Sequence, residues 1–215
     1  MASTSWNDIA RYAMRSRGDF SISITHWTRR NGSRTAFDVL QKILKDREIL
    51  DSINEGFIEG STPATCFTET PITAMGRTFE IAKEDAVVRN HIKWEPYGLS
   101  FLKPVIYQIF KGRPVLYLSD EECRDLCPEK SSRAKFLWRV VRFDQTNIEE
   151  AIDYTHEREW RVPGSVDLIH LDGRKRPIAI VKKADEAETL RELYSRVDEV
   201  PIRGVFSMED LRFLG

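Results

Sequence analysis

The chain has 215 residues, 41% hydrophobic and 31% charged, with 33 Lys and Arg against 34 Asp and Glu for a formal net charge of −1. That length and balance indicate one globular domain over 1–215 with room for a sizeable core, and they exclude an overall field that selects nucleic acid or an anionic membrane. No apolar run approaches the ~18 residues of a membrane helix, so no membrane association is expected. Cys66, Cys123 and Cys127 form an odd set with no basic-then-apolar leader ahead of them, which points to the cytoplasm. Cys123 and Cys127 at i, i+4 lack a second ligand pair, so no metal site is expected there.

In chain order, residues 7–15 read as a short helix within an N-terminal extension over 1–19. Residues 20–27 (FSISITHW) alternate and carry β-branched side chains, which predicts a strand with Ile22, Ile24 and His26 on one face. Thr35 is a suitable N-cap, and 36–50 carry apolar residues at helical spacing. Residues 65–70 (TCFTET) predict a strand that Pro71 ends, followed by a helix within 71–90. Residues 98–102 (GLSFL), 105–110 (VIYQIF) and 114–118 (PVLYL) read as strands. Residues 120–126 and 131–144 read as helices, and 148–155 as an acidic irregular segment. Residues 160–162 read as a strand. Asp172-Gly173 between 167–171 and 178–182 is a hairpin signal. A helix over 187–197 and a strand over 202–207 close the chain. Strands and helices mix without regular alternation, which predicts an α+β fold on split, mostly antiparallel sheets with flanking helices.

Charge is locally uneven. Arg29, Arg30 and Arg34 form one basic cluster, and Lys130, Arg133, Lys135, Arg139 and Arg142 a second. Arg174, Lys175, Arg176, Lys182 and Lys183 form a third. Brought together they would guide a polyanion; apart, they are solvated turns.

Four strings carry candidate chemistry. In Glu157-Arg158-Glu159-Trp160-Arg161 the acids are two apart, so in a strand both face one space. Such a pair repels and is tolerated where a ligand or a cation needs it; a solvated edge with Glu159 paired to Arg161 is the plain alternative. His26, followed by Trp27, Thr28 and Arg29, reads as a donor to a ligand hydroxyl or amide, or as a core histidine held by backbone. In TCFTETP, Glu69 stands in a short apolar strand and calls for a partner, Thr68 shares a face with Cys66, and Cys66 reads as a packing residue. In YGLSFLKP, Tyr97 could stack on a flat ring, with Gly98 allowing close approach. P-loop, dinucleotide-fingerprint, nucleophile-elbow and zincin motifs are absent from the sequence.

The order of these strings over roughly 20–165 resembles AbiGi-type abortive-infection proteins of bacteria. More distantly it is similar to DarT-like ADP-ribosyltransferase toxins. The resemblance implies an ADP-ribosyltransferase-like split sheet that clamps NAD, and a defence toxin acting on nucleic acid or a translation component. It implies Glu159 as the catalytic acid and Glu157 as helper toward the acceptor. His26 with Trp27, Thr28 and Arg29 would form the first element of the NAD site, and Thr68, Glu69 or Tyr97 the second. From its own spacing, Arg161 shares a face with Glu159 and could hold the acid or bind a diphosphate. A nucleic-acid or protein acceptor and a cognate antitoxin are the implied partners. CFTET stands where those transferases carry Ser-Thr-Ser, which leaves the middle element open. The chemistry is coherent: breaking the nicotinamide–ribose bond builds positive charge that a fixed carboxylate stabilises, and a second acid can take the acceptor's proton. Two alternatives remain. One is a metal-dependent phosphodiesterase or nuclease with His26, Glu69, Glu157 and Glu159 around Mg2+ or Mn2+. The other is a non-catalytic interaction module.

Overall fold

A computed structural model describes residues 17–52, 60–85, 94–126, 132–195 and 201–210. The expected helix over 7–15, Cys127 and Lys130 lie outside them, as do the ends of several expected segments.

A seven-stranded sheet organises the molecule, in the order β11-β10-β4-β1-β3-β8-β5. Its strands are β1 (Ser23–Trp27), β3 (Ala64–Thr68), β4 (Gly98–Leu102), β5 (Arg113–Pro114), β8 (Glu159–Pro163), β10 (Ile178–Val181) and β11 (Gly204–Ser207). All neighbours are antiparallel except β10 and β11. Two small ribbons accompany it: β2 (Glu48–Ile49) with β9 (Val166–Asp167), and β6 (Leu116–Leu118) with β7 (Val140–Arg142). The fold is therefore mixed α and β, with a mostly antiparallel sheet and flanking helices.

Alternation along each strand separates two faces. Ile24, Phe67, Leu99, Phe101, Val162 and Ala179 share one face, which α1 (Ala36–Asp46) covers with Leu40, Ile43 and Leu44. α5 (Ala184–Ser195) adds Ala187 and Leu190 to the same core and carries the chain from β10 to the parallel β11. On the other face, α2 (Ile72–Glu84) presents Met75 and Phe79 to Trp27 and Ile180. Trp138, from a 3-10 helix over Ser132–Arg139, covers Ala64 and Cys66.

α1 begins where its sequence says it should. Thr35 accepts from the Asp38 amide at 3.1 Å, and the Asp38 carboxylate accepts from the Thr35 amide at 2.8 Å. It stops early: Arg47 turns left-handed at φ 58°, and 48–49 become β2. Residues 105–110, expected as a strand, are helical within α3 (Lys103–Gln108). Pro104 explains this, since it lacks an amide for the sheet ladder and its fixed φ suits a first helical turn. The helix expected over 131–144 is a 3-10 helix followed by β7, where Val140 and Val141 prefer extended backbone. No hairpin forms at Asp172-Gly173. Its flanks pair elsewhere, β9 with β2 and β10 with β4, because Leu168 and Leu171 turn into the core. α4 (Asp120–Leu126) follows β6 as expected.

Between β1 and β3 the ladder thins to one register pair, Thr25 with Thr68, whereas β1 matches β4 over five pairs and β3 matches β8 over four. The seven strands form one sheet, and this seam, between β11-β10-β4-β1 and β3-β8-β5, is where its pairing is sparsest.

Candidate functional site

The seam and its open end collect several of the candidate residues. A hydroxyl row crosses the second face of the sheet in register, from Ser100 through Thr25 and Thr68 to Glu159. His26 projects from β1, and its Nδ1 lies 2.9 Å from the Cys66 carbonyl on β3, bridging the seam where backbone pairing is missing. A carbonyl only accepts, so Nδ1 carries the hydrogen and a neutral ring presents Nε2 as an acceptor. Burial holds the imidazole below its ordinary pKa, and the Cys66 bond opposes this only in part. Of the two readings of His26, the histidine held by backbone is what the fold contains: its donor goes to the Cys66 carbonyl, and Nε2 is left able to accept a hydrogen bond.

Where β1 begins and β3 ends, a cleft of about 320 Å³ opens. Its aromatic walls are Phe20, Tyr117 and Trp160, its cations Arg17 and Arg158, and Glu69 and Glu159 also line it. Glu69 has the partners its odd place in an apolar string demands. It accepts from the Trp160 indole Nε1 at 2.7 Å and pairs with the Lys103 ammonium. Lys103, only 8% exposed at its side chain, also lies over the Phe20 ring at 4.6 Å. The Trp160 and Phe20 rings are thus both held by one ion pair at the cleft.

Arg158 stands in the left-handed region at φ 46°, closing the 3-10 turn Thr155–Glu157. A non-glycine residue there is strained, and such strain gathers at ligand sites. Its guanidinium binds Asp19 at 2.9 Å, which Arg17 also grips at 2.8 Å. The two guanidiniums hold the Asp19 carboxyl well below the usual range. Two cations thus share one carboxylate on this wall.

The left-handed turn at Arg158 also separates the acids. β8 starts only at Glu159, so Glu157 belongs to the turn and the shared-face expectation for the pair does not hold. The Glu157 carbonyl accepts from the Thr68 hydroxyl, which ties that turn to β3. Glu159 is held by Arg161 on both oxygens, at 2.7 Å and 3.2 Å. Arg161 is buried and also donates to the carbonyls of Trp138 and Val140, each at 3.0 Å. Burial works against the Arg161 charge, but Glu159 outweighs it and holds the guanidinium protonated. The plain alternative of a Glu159–Arg161 pair is what the fold contains, though inside the sheet rather than on a solvated edge. Cys66 faces this pair, and burial followed by the Glu159 charge pushes its thiol up, which suits a packing residue and not a nucleophile.

Comparison with protein-family models, with curated proteins and with solved structures finds no match to this chain.

Other candidates lie away from the cleft. Thr28 is structural, its hydroxyl 2.9 Å from the Ala36 carbonyl and 3.1 Å from that of Tyr97. Arg29 is exposed on the loop beyond. Trp27 packs edge-on to Phe79 with its indole N–H buried and unpartnered. Tyr97 donates to Glu186 on α5 at 2.8 Å and packs on Phe37, far along the sheet from Glu159. The close approach at Gly98 is to the neighbouring strand, since a Cβ there would lie 2.4 Å from the His26 carbonyl. His26, Glu69, Glu157 and Glu159 do not converge, and among the described residues no three His, Cys, Asp or Glu side chains gather as a metal site. Among the described residues the second and third basic stretches do not merge, because Arg139 braces on β5 and Lys182 follows β10, near opposite edges of the sheet.

Sequence reasoning missed Phe20, Lys103, Tyr117, Asp19 and Arg158. The αL turn has no sequence signal at an arginine, but Lys103 beside Pro104 and the isolated Glu69 were a readable pair of buried opposite charges.

Proposed function

We propose that the seam-end cleft binds NAD and that the protein is an ADP-ribosyltransferase on a split sheet. In the setting that the resemblance to abortive-infection proteins implies, it would act as a cytoplasmic anti-phage toxin on nucleic acid or a translation component. The observation that carries the reading is the cleft itself. Its lining combines flat aromatic rings, the guanidiniums of Arg17 and Arg158, and Glu159 at the start of β8. Rings suit nicotinamide or adenine, guanidiniums suit a diphosphate, and a carboxylate suits the developing oxocarbenium. Arg161 holds Glu159 in a fixed orientation through both oxygens, so little reorganisation is needed when charge develops on the ribose. Thinning of the sheet between β1 and β3 supports the split-sheet part of the reading.

The test is calorimetric titration with NAD, alongside release of labelled nicotinamide and transfer to cell extract. Binding with release is expected, and Arg158→Gln should weaken binding about tenfold by removing a charge-assisted contact. Glu159→Gln should abolish release while leaving binding within a few fold. A folded protein that neither binds NAD nor releases nicotinamide would sink the proposal.

A second reading is favoured by one observation, the occupation of both Glu159 oxygens by Arg161. On that reading the pair is a structural clamp and the cleft a nucleotide-binding module without turnover. NAD binding with no nicotinamide release, unchanged in Glu159→Gln, is its signature.

A further inference from the structure

Next to the cleft, at the β5 end of the sheet, two arginines stand together with no acid paired to them among the described residues. Arg113 on β5 donates to the carbonyls of Gly112 at 2.7 Å and Tyr107 at 3.1 Å, with its guanidinium carbon 3.8 Å from the Tyr107 ring centre. Arg139, closing the 3-10 helix, donates to the Pro114 carbonyl at 2.9 Å and 3.3 Å. Among the described residues neither guanidinium is in an ion pair, whereas Arg142, Arg158 and Arg161 each have a carboxylate. The proximity has a cost: burial, and then the Arg113 charge, lower the Arg139 pKa. A fold keeps two like charges on neighbouring carbonyls most readily where an anion completes the set.

Aromatic surface accompanies them. Tyr107 is 49% exposed and Phe136 is 44% exposed. Phe136 precedes Arg139 by three residues on a 3-10 helix, where i and i+3 eclipse, so ring and guanidinium share a face. Lys135 adds a charge 5.2 Å from the Phe136 ring. Pro114, whose carbonyl holds Arg139, also lines the cleft, so this surface is continuous with the rim of the site.

We propose that Arg113, Arg139, Tyr107 and Phe136 form a docking surface for single-stranded nucleic acid. Guanidiniums that already brace on carbonyls still present donors to backbone phosphates, and exposed rings give bases a face to stack on. Duplex is disfavoured because its bases are already stacked and offer no face to Tyr107 or Phe136. An acidic peptide would satisfy the charges but leave the rings unused. The inference concerns a surface outside the cleft and stands whether or not the cleft takes NAD.

The experiment is fluorescence anisotropy of the full chain with labelled oligo-dT and oligo-U strands of about 20 nucleotides, at salt from about 50 to about 300 mM. Binding that weakens steeply with salt is expected. The double variant Arg113→Gln, Arg139→Gln should flatten the log–log salt slope by about 1.4, from ~0.7 per lost phosphate contact. Arg113→Lys with Arg139→Lys should keep most of that slope. Phe136→Ala, which removes a partly exposed ring, should weaken binding about tenfold at unchanged slope. Circular dichroism checks that each variant is folded. Absence of binding at the lowest salt overturns the proposal, as does an unchanged slope in the double Gln variant. Displacement by poly-glutamate as effective as by unlabelled strand also overturns it, in favour of an acidic protein partner. Loss of NAD binding in Arg158→Gln with strand binding intact separates this surface from the cleft.

Discussion

Glu159 and Arg161 alternate onto one face of β8, a spacing visible in the sequence, and both side chains are largely withdrawn from water, 12% and 3% exposed. What the spacing does not reveal is Arg158 at φ 46°, which rotates Glu157 out of the strand. No residue type marks that turn, so one acid of the pair was legible in its place and the other was not. His26 shows the same limit. Its position at the end of an alternating strand was readable, but the Cys66 carbonyl that consumes its donor lies forty residues on. The consequence is a pH dependence with a definite sign. Burial depresses the folded-state pKa of His26 below the unfolded value of about 6.5. The unfolded chain therefore binds a proton more readily. Stability from this residue is fully present above about pH 6.5 and is lost as pH falls toward the folded pKa. Thermal melts between about pH 7 and 5 should show Tm falling with acidity. His26→Gln, which can still donate to the Cys66 carbonyl, should flatten that part of the profile; an unchanged profile would assign the dependence to other groups.

At the scale of elements, local chemistry was decisive wherever it was sufficient. The capping box of Thr35 and Asp38 sets the start of α1, and its apolar stripe meets the sheet through Leu40, Ile43 and Leu44. Thr35→Ala removes the acceptor for the Asp38 amide and should cost about 1 kcal/mol, measured by denaturant unfolding at constant m-value. Thr35→Ser should restore most of it, whereas equal losses in both would place the effect outside the cap. β4 over Gly98–Leu102 and α4 over Asp120–Leu126 match their sequence signals for the same reason. The segment 105–110 did not, because its β-branched residues suit either a strand or a buried helical turn, and only Pro104 distinguishes them. Asp172-Gly173 misled because a hairpin needs strands that pair with each other, and the burial of Leu168 and Leu171 gave those flanks different partners. The cleft follows the same logic. Trp160 lies on β8 and Glu69 directly follows the adjacent β3, but Phe20, Lys103 and Tyr117 reach them only through the sheet order.

For the whole molecule, the sheet is the shared wall of two cores. Leu40 of α1 packs on one face with Phe67 and Leu99, and Phe79 of α2 packs on the other with Trp27 and Ile180. Alternation interleaves the two cores along single strands: Ile24 serves the first and Trp27, three residues on, serves the second. Neither core can dissolve without breaking β1, so the faces should unfold together despite the thin β1–β3 seam. Leu40→Ala and Phe79→Ala each remove a large buried side chain, at about 3 kcal/mol apiece. In calorimetry each variant should show one transition, lowered by roughly 6–12 °C for a chain of this size. Because the sites lie on opposite faces and share no partner, the double variant should lose close to the sum, within about 0.5 kcal/mol. Two resolved transitions, with each substitution moving only one, would show instead that the seam separates two cooperative units. The cleft at its open end would then lie on a boundary that can part.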